Sequence, residues 1–160
     1  MKTTPITDAD RAWLADQLEQ EWGSTVMVSR GVLHQPAQLP GFILFDDDQP
    51  VGFITYHIAN GACEVVTINA LKSGLGIGSQ LITAVKEEAH ANNCHRLWLI
   101  TTNDNIDALR FYQKRGFTMA ALHRNAIVES RKLKPSIPEI GNYGIPIRDE
   151  IEFEINLKPI

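Results

Sequence analysis

The sequence predicts a single α/β (α+β) domain over residues 1–160, with a mixed central sheet of about six to seven strands flanked by helices. Three observations lead there. The chain opens with helical apolar spacing and changes to strand-type spacing at Gly41. From Cys63 onward, strand-like runs alternate with helix-like ones. A chain of 160 residues, 44% hydrophobic and 21% charged, has the material for one core and buries roughly 70% of its unfolded surface.

Met1–Ile6 is too short to specify a first strand. Thr7, with Asp10 three residues on, reads as a helix N-cap with a carboxylate near the positive end. Leu14, Leu18 and Trp22 recur at i, i+4 and i+8, so a helix is expected over 8–22, ended by Gly23. Residues 24–40 have no clear period and leave room for a short helix. Phe42–Phe45 and Val51–Tyr56 flank the polar turn Asp46–Pro50 and read as a β-hairpin. Cys63–Leu71 is a further strand. It runs into Gly74-Leu75-Gly76-Ile77-Gly78, which opens a helix with Leu81, Ile82, Val85 and Ala89 on one face. Asn92-Asn93 closes that helix, and Leu97–Ile100 is a short buried-type strand. A helix over 105–114 ends at Gly116, Phe117–Leu122 resumes as strand, and Asn125–Leu133 is helical. Pro135, Pro138, Gly141 and Gly144 mark an irregular loop. Ile151, Phe153, Ile155 and Leu157 alternate with polar residues as a half-exposed last strand.

Composition excludes several function classes. A net charge of -4 does not draw a protein to nucleic acid or an anionic membrane, so neither is an expected partner. No apolar run reaches the roughly 18 residues of a membrane span. Met1–Trp13 is too polar for a signal peptide. Cys63 and Cys94 have no paired spacing and fit reduced thiols, which makes the cytoplasm the expected location. His34, His57, His90, His95 and His123 lack metal-ligand spacing, and no metal is expected.

A strand leading through Gly-x-Gly into a helix is a phosphate-binding arrangement. Glycines let main-chain N–H groups approach an anion, and the helix N-terminus adds partial positive charge. Gly74, Gly76, Ile77, Gly78 and Ser79 are placed to present such amides; a plain glycine-rich turn is the bland alternative. No Gly-Lys-Ser/Thr is present for a P-loop. A dinucleotide loop would want a third glycine where Ser79 stands, and would follow a first strand rather than a hairpin.

The segment Lys72-Ser73-Gly74-Leu75-Gly76-Ile77-Gly78-Ser79 resembles the pyrophosphate loop of GNAT acyltransferases, [Arg/Gln]-x-x-Gly-x-[Gly/Ala]. Gly76 and Gly78 match its small positions, and Ser73 stands where Arg or Gln is usual. Further on, Asn105-Ile-Asp-Ala108-Leu-Arg-Phe111-Tyr112-Gln-Lys-Arg-Gly116-Phe117 resembles the other hallmark, Asn-x-x-Ala-x-x-[apolar]-Tyr-x-x-x-Gly-Phe. On these two motifs the chain is identified as a member of the GNAT superfamily of N-acetyltransferases. The resemblance covers about residues 41–117, and the segment 125–148 is longer than the usual connection there.

The resemblance implies the acyl-CoA N-acyltransferase fold, with acetyl-CoA as co-substrate and a primary amine as acceptor. It implies direct transfer in a ternary complex, and it allows a homodimer. The pantetheine arm would lie where strands 63–71 and 96–101 splay apart, met by main-chain groups of Ile68, Asn69, Ala70 and Leu71. Ser73, Gly74, Gly76, Ile77, Gly78 and Ser79 would take the pyrophosphate, Asn105 the arm, and Lys114 or Lys72 the 3′-phosphate. Tyr112 would protonate the CoA thiolate. Glu64 is the candidate base, with a water chain as the alternative. Trp22, Arg30, His34 and Tyr56 would line the amine pocket, with Arg148, Asp149 and Glu150 within reach. Absence of an acidic groove favours a small-molecule amine over a basic peptide. A non-catalytic acyl-CoA-binding domain on the same fold is the reading from another class.

Overall fold

A computed structural model describes residues 1–158. Its strands and helices, in chain order, are Lys2–Pro5 (β1), Arg11–Trp22 (α1), Met27–Ser29 (β2), Val32–His34 (β3), Gly41–Asp46 (β4), Gln49–Ala59 (β5) and Ala62–Ala70 (β6). They continue with Ile77–Ala91 (α2), Arg96–Thr102 (β7), Ile106–Lys114 (α3), Thr118–His123 (β8), Ala126–Leu133 (α4) and Glu150–Asn156 (β9). Seven strands form one mixed sheet in the order β1-β4-β5-β6-β7-β9-β8, flanked by helices as the sequence predicts.

The two sheet faces carry different helices. Leu14 and Leu18 of α1 pack with Ile43 and Phe53 on one face. The one-sided stripe of α2, with Leu81, Val85 and Ala89, packs on the other against Val65, Leu97 and Leu99, and Tyr112 joins it there. Burying such aliphatic side chains contributes about 1.5–3 kcal/mol each, which fixes both helices on the sheet.

Three expectations needed correction. Met1–Ile6 does hold a strand: β1 pairs antiparallel with β4, from Lys2↔Phe45 to Pro5↔Phe42. Its four residues are specified by a neighbouring strand edge rather than by their own pattern. Residues 24–40 form the β2–β3 hairpin and a short 3₁₀ turn at Pro36–Gln38, not an α-helix. The first helix begins at Arg11, after a 3₁₀ turn at Asp8–Asp10 in which the Thr7 amide donates to the Asp10 carboxylate at 2.8 Å.

One feature of the sheet positions the site. β6 and β7 are parallel and pair only from Ala62↔Arg96 to Val65↔Leu99. Beyond those four pairs β6 stays with β5 as far as Gly52↔Ala70, while β7 stays with β9 as far as Thr102↔Glu150. The two strands therefore part in the middle of the sheet.

Candidate active site

A hollow borders the unpaired end of each parting strand. On the β6 side, Ile68, Asn69 and Ala70 line a cleft of about 310 Å³ with Gly78, Asn105, Asp107, Ala108, Phe111 and Tyr112. The Leu71 amide donates to the Val51 carbonyl at 2.8 Å. Alternation along β6 gives Asn69 the same side as Leu71, so the main-chain groups turned toward the gap are those of Ile68 and Ala70.

Tyr112 is held by aromatic neighbours. Its ring meets Phe111 edge-on at 5.1 Å and Phe117 at 5.5 Å, and lies tilted against Phe153 at 5.9 Å. The residue is 8% exposed, and burial raises its hydroxyl's pKa. A phenol that resists ionisation keeps its proton until a stronger base arrives. Asn105 caps α3, its side-chain oxygen accepting from the Ala108 amide at 3.2 Å, and also lines the cleft.

At the mouth of α2, Gly76 is the N-cap, with a left-handed φ of 69°, and Gly74 has φ 80°. A side chain at either would be strained by the backbone, although the space around both is open. Gly78 has the opposite constraint: a Cβ there would come within 2.6 Å of the Phe111 ring. That close approach brings α3 onto the start of α2. Arg115 then reaches the α2 N-terminus, where its Nε donates to the Ser79 hydroxyl at 3.0 Å and its guanidinium stacks 3.6 Å over Phe111.

On the β7 side, Ile100, Thr101 and Thr102 border a cavity of about 580 Å³. Trp22, Met27 and Val28 wall it from the α1–β2 side, Ile127, Ile137 and Ile147 from α4 and the segment after it, and Glu150 also lines it. Glu150 is 1% exposed and is met by Arg30, whose Nη1 donates to it at 3.0 Å. Behind it lies Glu64, 5% exposed under the β2–β3 hairpin. The Ser29 hydroxyl donates to Glu64 Oε2 at 2.5 Å, and His34 Nε2 stands 3.6 Å from Oε1. Burial pushes the Glu64 carboxyl up to about 7 against the Ser29 hydrogen bond, helped by the charges of Glu150 and Glu152. Burial, then neighbouring His57, lowers the pKa of His34.

A model of the acetyltransferase (GNAT) family matches residues 8–117. The chain belongs to the GNAT family. It is 39% identical over 150 residues to YdhI of Bacillus subtilis (strain 168), an uncharacterized protein, across 93% of this chain and 94% of that one. A Bacillus subtilis acetyltransferase solved in complex with CoA shares the fold at a TM-score of 0.68 and 18% identity, covering 98% of this chain and 97% of that one. A GNAT acetyltransferase from Elizabethkingia anophelis, with acetyl-CoA bound, does so at 0.67 and 21%, with the same coverage.

In this GNAT chain the expected residues fall at the α2 mouth, in the cleft and around the cavity. Ile68, Asn69, Ala70, Gly78, Asn105 and Tyr112 share the cleft. Trp22 lines the cavity, Arg30 is paired to Glu150, and His34 lies beside Glu64. Two expectations shift, those for Tyr56 and Leu71. Tyr56 is not on the amine side: it lies in the core on the α2 face, stacked with Phe42 at 6.1 Å. The Leu71 amide is taken by β5. Lys72 and Lys114 are exposed, and Arg115 adds a cation at the α2 mouth. Glu64 does not line the cavity; Glu150 does. Nothing in the sequence singled out Arg115, because its position depends on α3 packing against Gly78.

Proposed function

We propose that this chain transfers the acetyl group of acetyl-CoA to a primary amine carried by a small molecule, directly, in a ternary complex. The observation that carries the reading is the parting of β6 from β7, with one hollow at each unpaired end. Two substrates approaching from opposite sides of such a gap can meet without a covalent enzyme intermediate.

The residues present fit acetyl-CoA. The α2 mouth offers the first-turn amides of Ile77, Gly78 and Ser79, with open space around Gly74 and Gly76 and with Arg115 beside Ser79, for a pyrophosphate. The gap-facing groups of Ile68 and Ala70 lack a β7 partner and would pair with an amide-bearing arm and the acyl oxygen. Acetyl-CoA supplies the acetyl group as a thioester with a departing sulfur. Tyr112 holds the proton that the sulfur needs. On the other side, Glu150 faces the incoming amine, and Glu64, whose pKa is close to neutral, takes the displaced proton through water.

The test is release of free thiol from acetyl-CoA across a panel of amines. Tyr112→Phe is expected to lower kcat at least ~100-fold while acetyl-CoA binding, followed by calorimetry, is unchanged. Undiminished turnover would remove Tyr112 from the role of acid. Binding of acetyl-CoA without thiol release for any amine would make the chain an acyl-CoA-binding domain instead.

A further inference from the structure

The cavity at the end of β7 carries a more specific assignment, which rests on the acetyltransfer reading above. Its walls are mainly apolar, with Trp22 from α1, Met27 and Val28 from β2, Ile127 from α4, and Ile137 and Ile147 from the segment that follows, and with Thr101, Thr102, Ser130 and Ser136 as neutral polar residues among them. The charges at its lining balance. Glu150 is ion-paired with Arg30 at 3.0 Å, and the other charged residues of the lining are one exposed carboxylate, Glu21, and one ammonium, Lys134. A polyamine or aminoglycoside needs several uncompensated carboxylates, because each ammonium it brings must be met or left in water.

The outer wall is built rather than incidental. Arg131 on α4 donates from Nη2 to the carbonyls of Pro138 and Ile147, both at 2.8 Å, and so clips together the two arms of segment 134–149 that close the cavity. The same segment is tied down at its far end, where the Asn142 amide donates to Asp104 at 2.9 Å and the Tyr143 hydroxyl to Asp107 at 2.7 Å. The tie to Asp107 joins this wall to the cleft on the β6 side. A mainly apolar cavity of about 580 Å³, whose one buried carboxylate is paired, lies in the range that holds a small organic ligand.

We infer that the acceptor is a primary amine on an apolar, ring-sized body, of the arylalkylamine class, with the body against Trp22, Met27, Val28 and Ile137 and the nitrogen toward Glu150. A single ammonium head shares the buried Glu150 carboxylate with Arg30, and the remainder buries apolar surface at about 25 cal/mol per Å².

Phenethylamine and spermidine serve as probes, each measured in two ways: binding by calorimetry, and thiol release with acetyl-CoA. Phenethylamine is expected to bind and to exceed spermidine in kcat/KM by roughly 100-fold, about 2.7 kcal/mol of selectivity. Ile137→Asp and Val28→Asp should each weaken phenethylamine binding at least ~10-fold, because a carboxylate enters an apolar wall, and leave acetyl-CoA binding unchanged. Preference for spermidine, no binding of phenethylamine, or binding indifferent to both wall variants would overturn the assignment. If phenethylamine binds in the wild type and is lost in both variants while no amine releases thiol, the cavity assignment stands and the acetyltransfer reading falls.

Discussion

Glu64 sits between two demands. Its neighbours on the sheet leave it buried, which favours the proton, while the Ser29 hydroxyl favours the charge; burial prevails and its pKa rises to about 7. In the unfolded chain the same carboxyl titrates near its ordinary value of 4.5. Between those values the folded protein holds a proton that the unfolded chain has released, so this group's contribution to stability falls as pH rises through that window. Above pH 7 the cost is on the order of 3 kcal/mol. Glu64→Gln keeps an acceptor for Ser29 and has no charge to bury. Its Tm should match wild type near pH 4 and exceed it by roughly 6–12 °C at pH 8, in thermal melts at both values. A difference that does not change with pH would contradict this account. At this scale the sequence was informative wherever a residue's position depends on local spacing: Asn105 caps α3, Tyr112 follows seven residues on, and both line the cleft. It was silent on Arg115 and placed Tyr56 on the wrong face. Those positions depend on how α3 meets α2, and on which face of the sheet β5 turns to α2: Ile54 and Tyr56, two apart, both pack there.

Between elements, the contact that matters most to the cleft is α2 on α3. Gly78 belongs to the glycine cluster by sequence, yet its backbone has an ordinary φ and its missing side chain makes room for the Phe111 ring. Phe111 in turn supports Arg115 beside Ser79. Gly78→Ala forces a methyl group into 2.6 Å contact with the ring, so Phe111 must shift and Arg115 with it. Overpacking of this kind costs about 1–3 kcal/mol, and the same variant should weaken acetyl-CoA binding at least ~5-fold. Urea melts and calorimetry read the two effects; normal stability with normal affinity would show that the helices adjust freely. The regular elements, α2 above all, were legible from their apolar stripe. The β2–β3 hairpin was not, since two three-residue strands leave no period to read, and neither was segment 134–149, which is shaped by distant partners Asn103, Asp104 and Arg131.

Across the whole molecule, the sheet is two antiparallel blocks, β1-β4-β5-β6 and β7-β9-β8, joined by four parallel residue pairs. That seam is the shortest pairing within the sheet's centre, and the strand ends beyond it present main-chain groups to the cleft rather than to each other. A ligand that pairs with the free edge of β6 acts as a partial strand and ties the blocks together. Acetyl-CoA at 100 times its Kd should stabilise the fold by about 2.7 kcal/mol. The gain has a predicted location. Hydrogen exchange at the amides of Ile68 and Ala70 should slow at least ~10-fold on binding, while Asn69 and Leu71, on the β5-facing side of the strand, change no more than the global stability requires. Uniform slowing along β6 would mean the ligand stabilises the protein without occupying the seam. No change at Ile68 and Ala70 would place it elsewhere altogether. An alternating pattern with a period of two residues is the signature that only edge pairing produces.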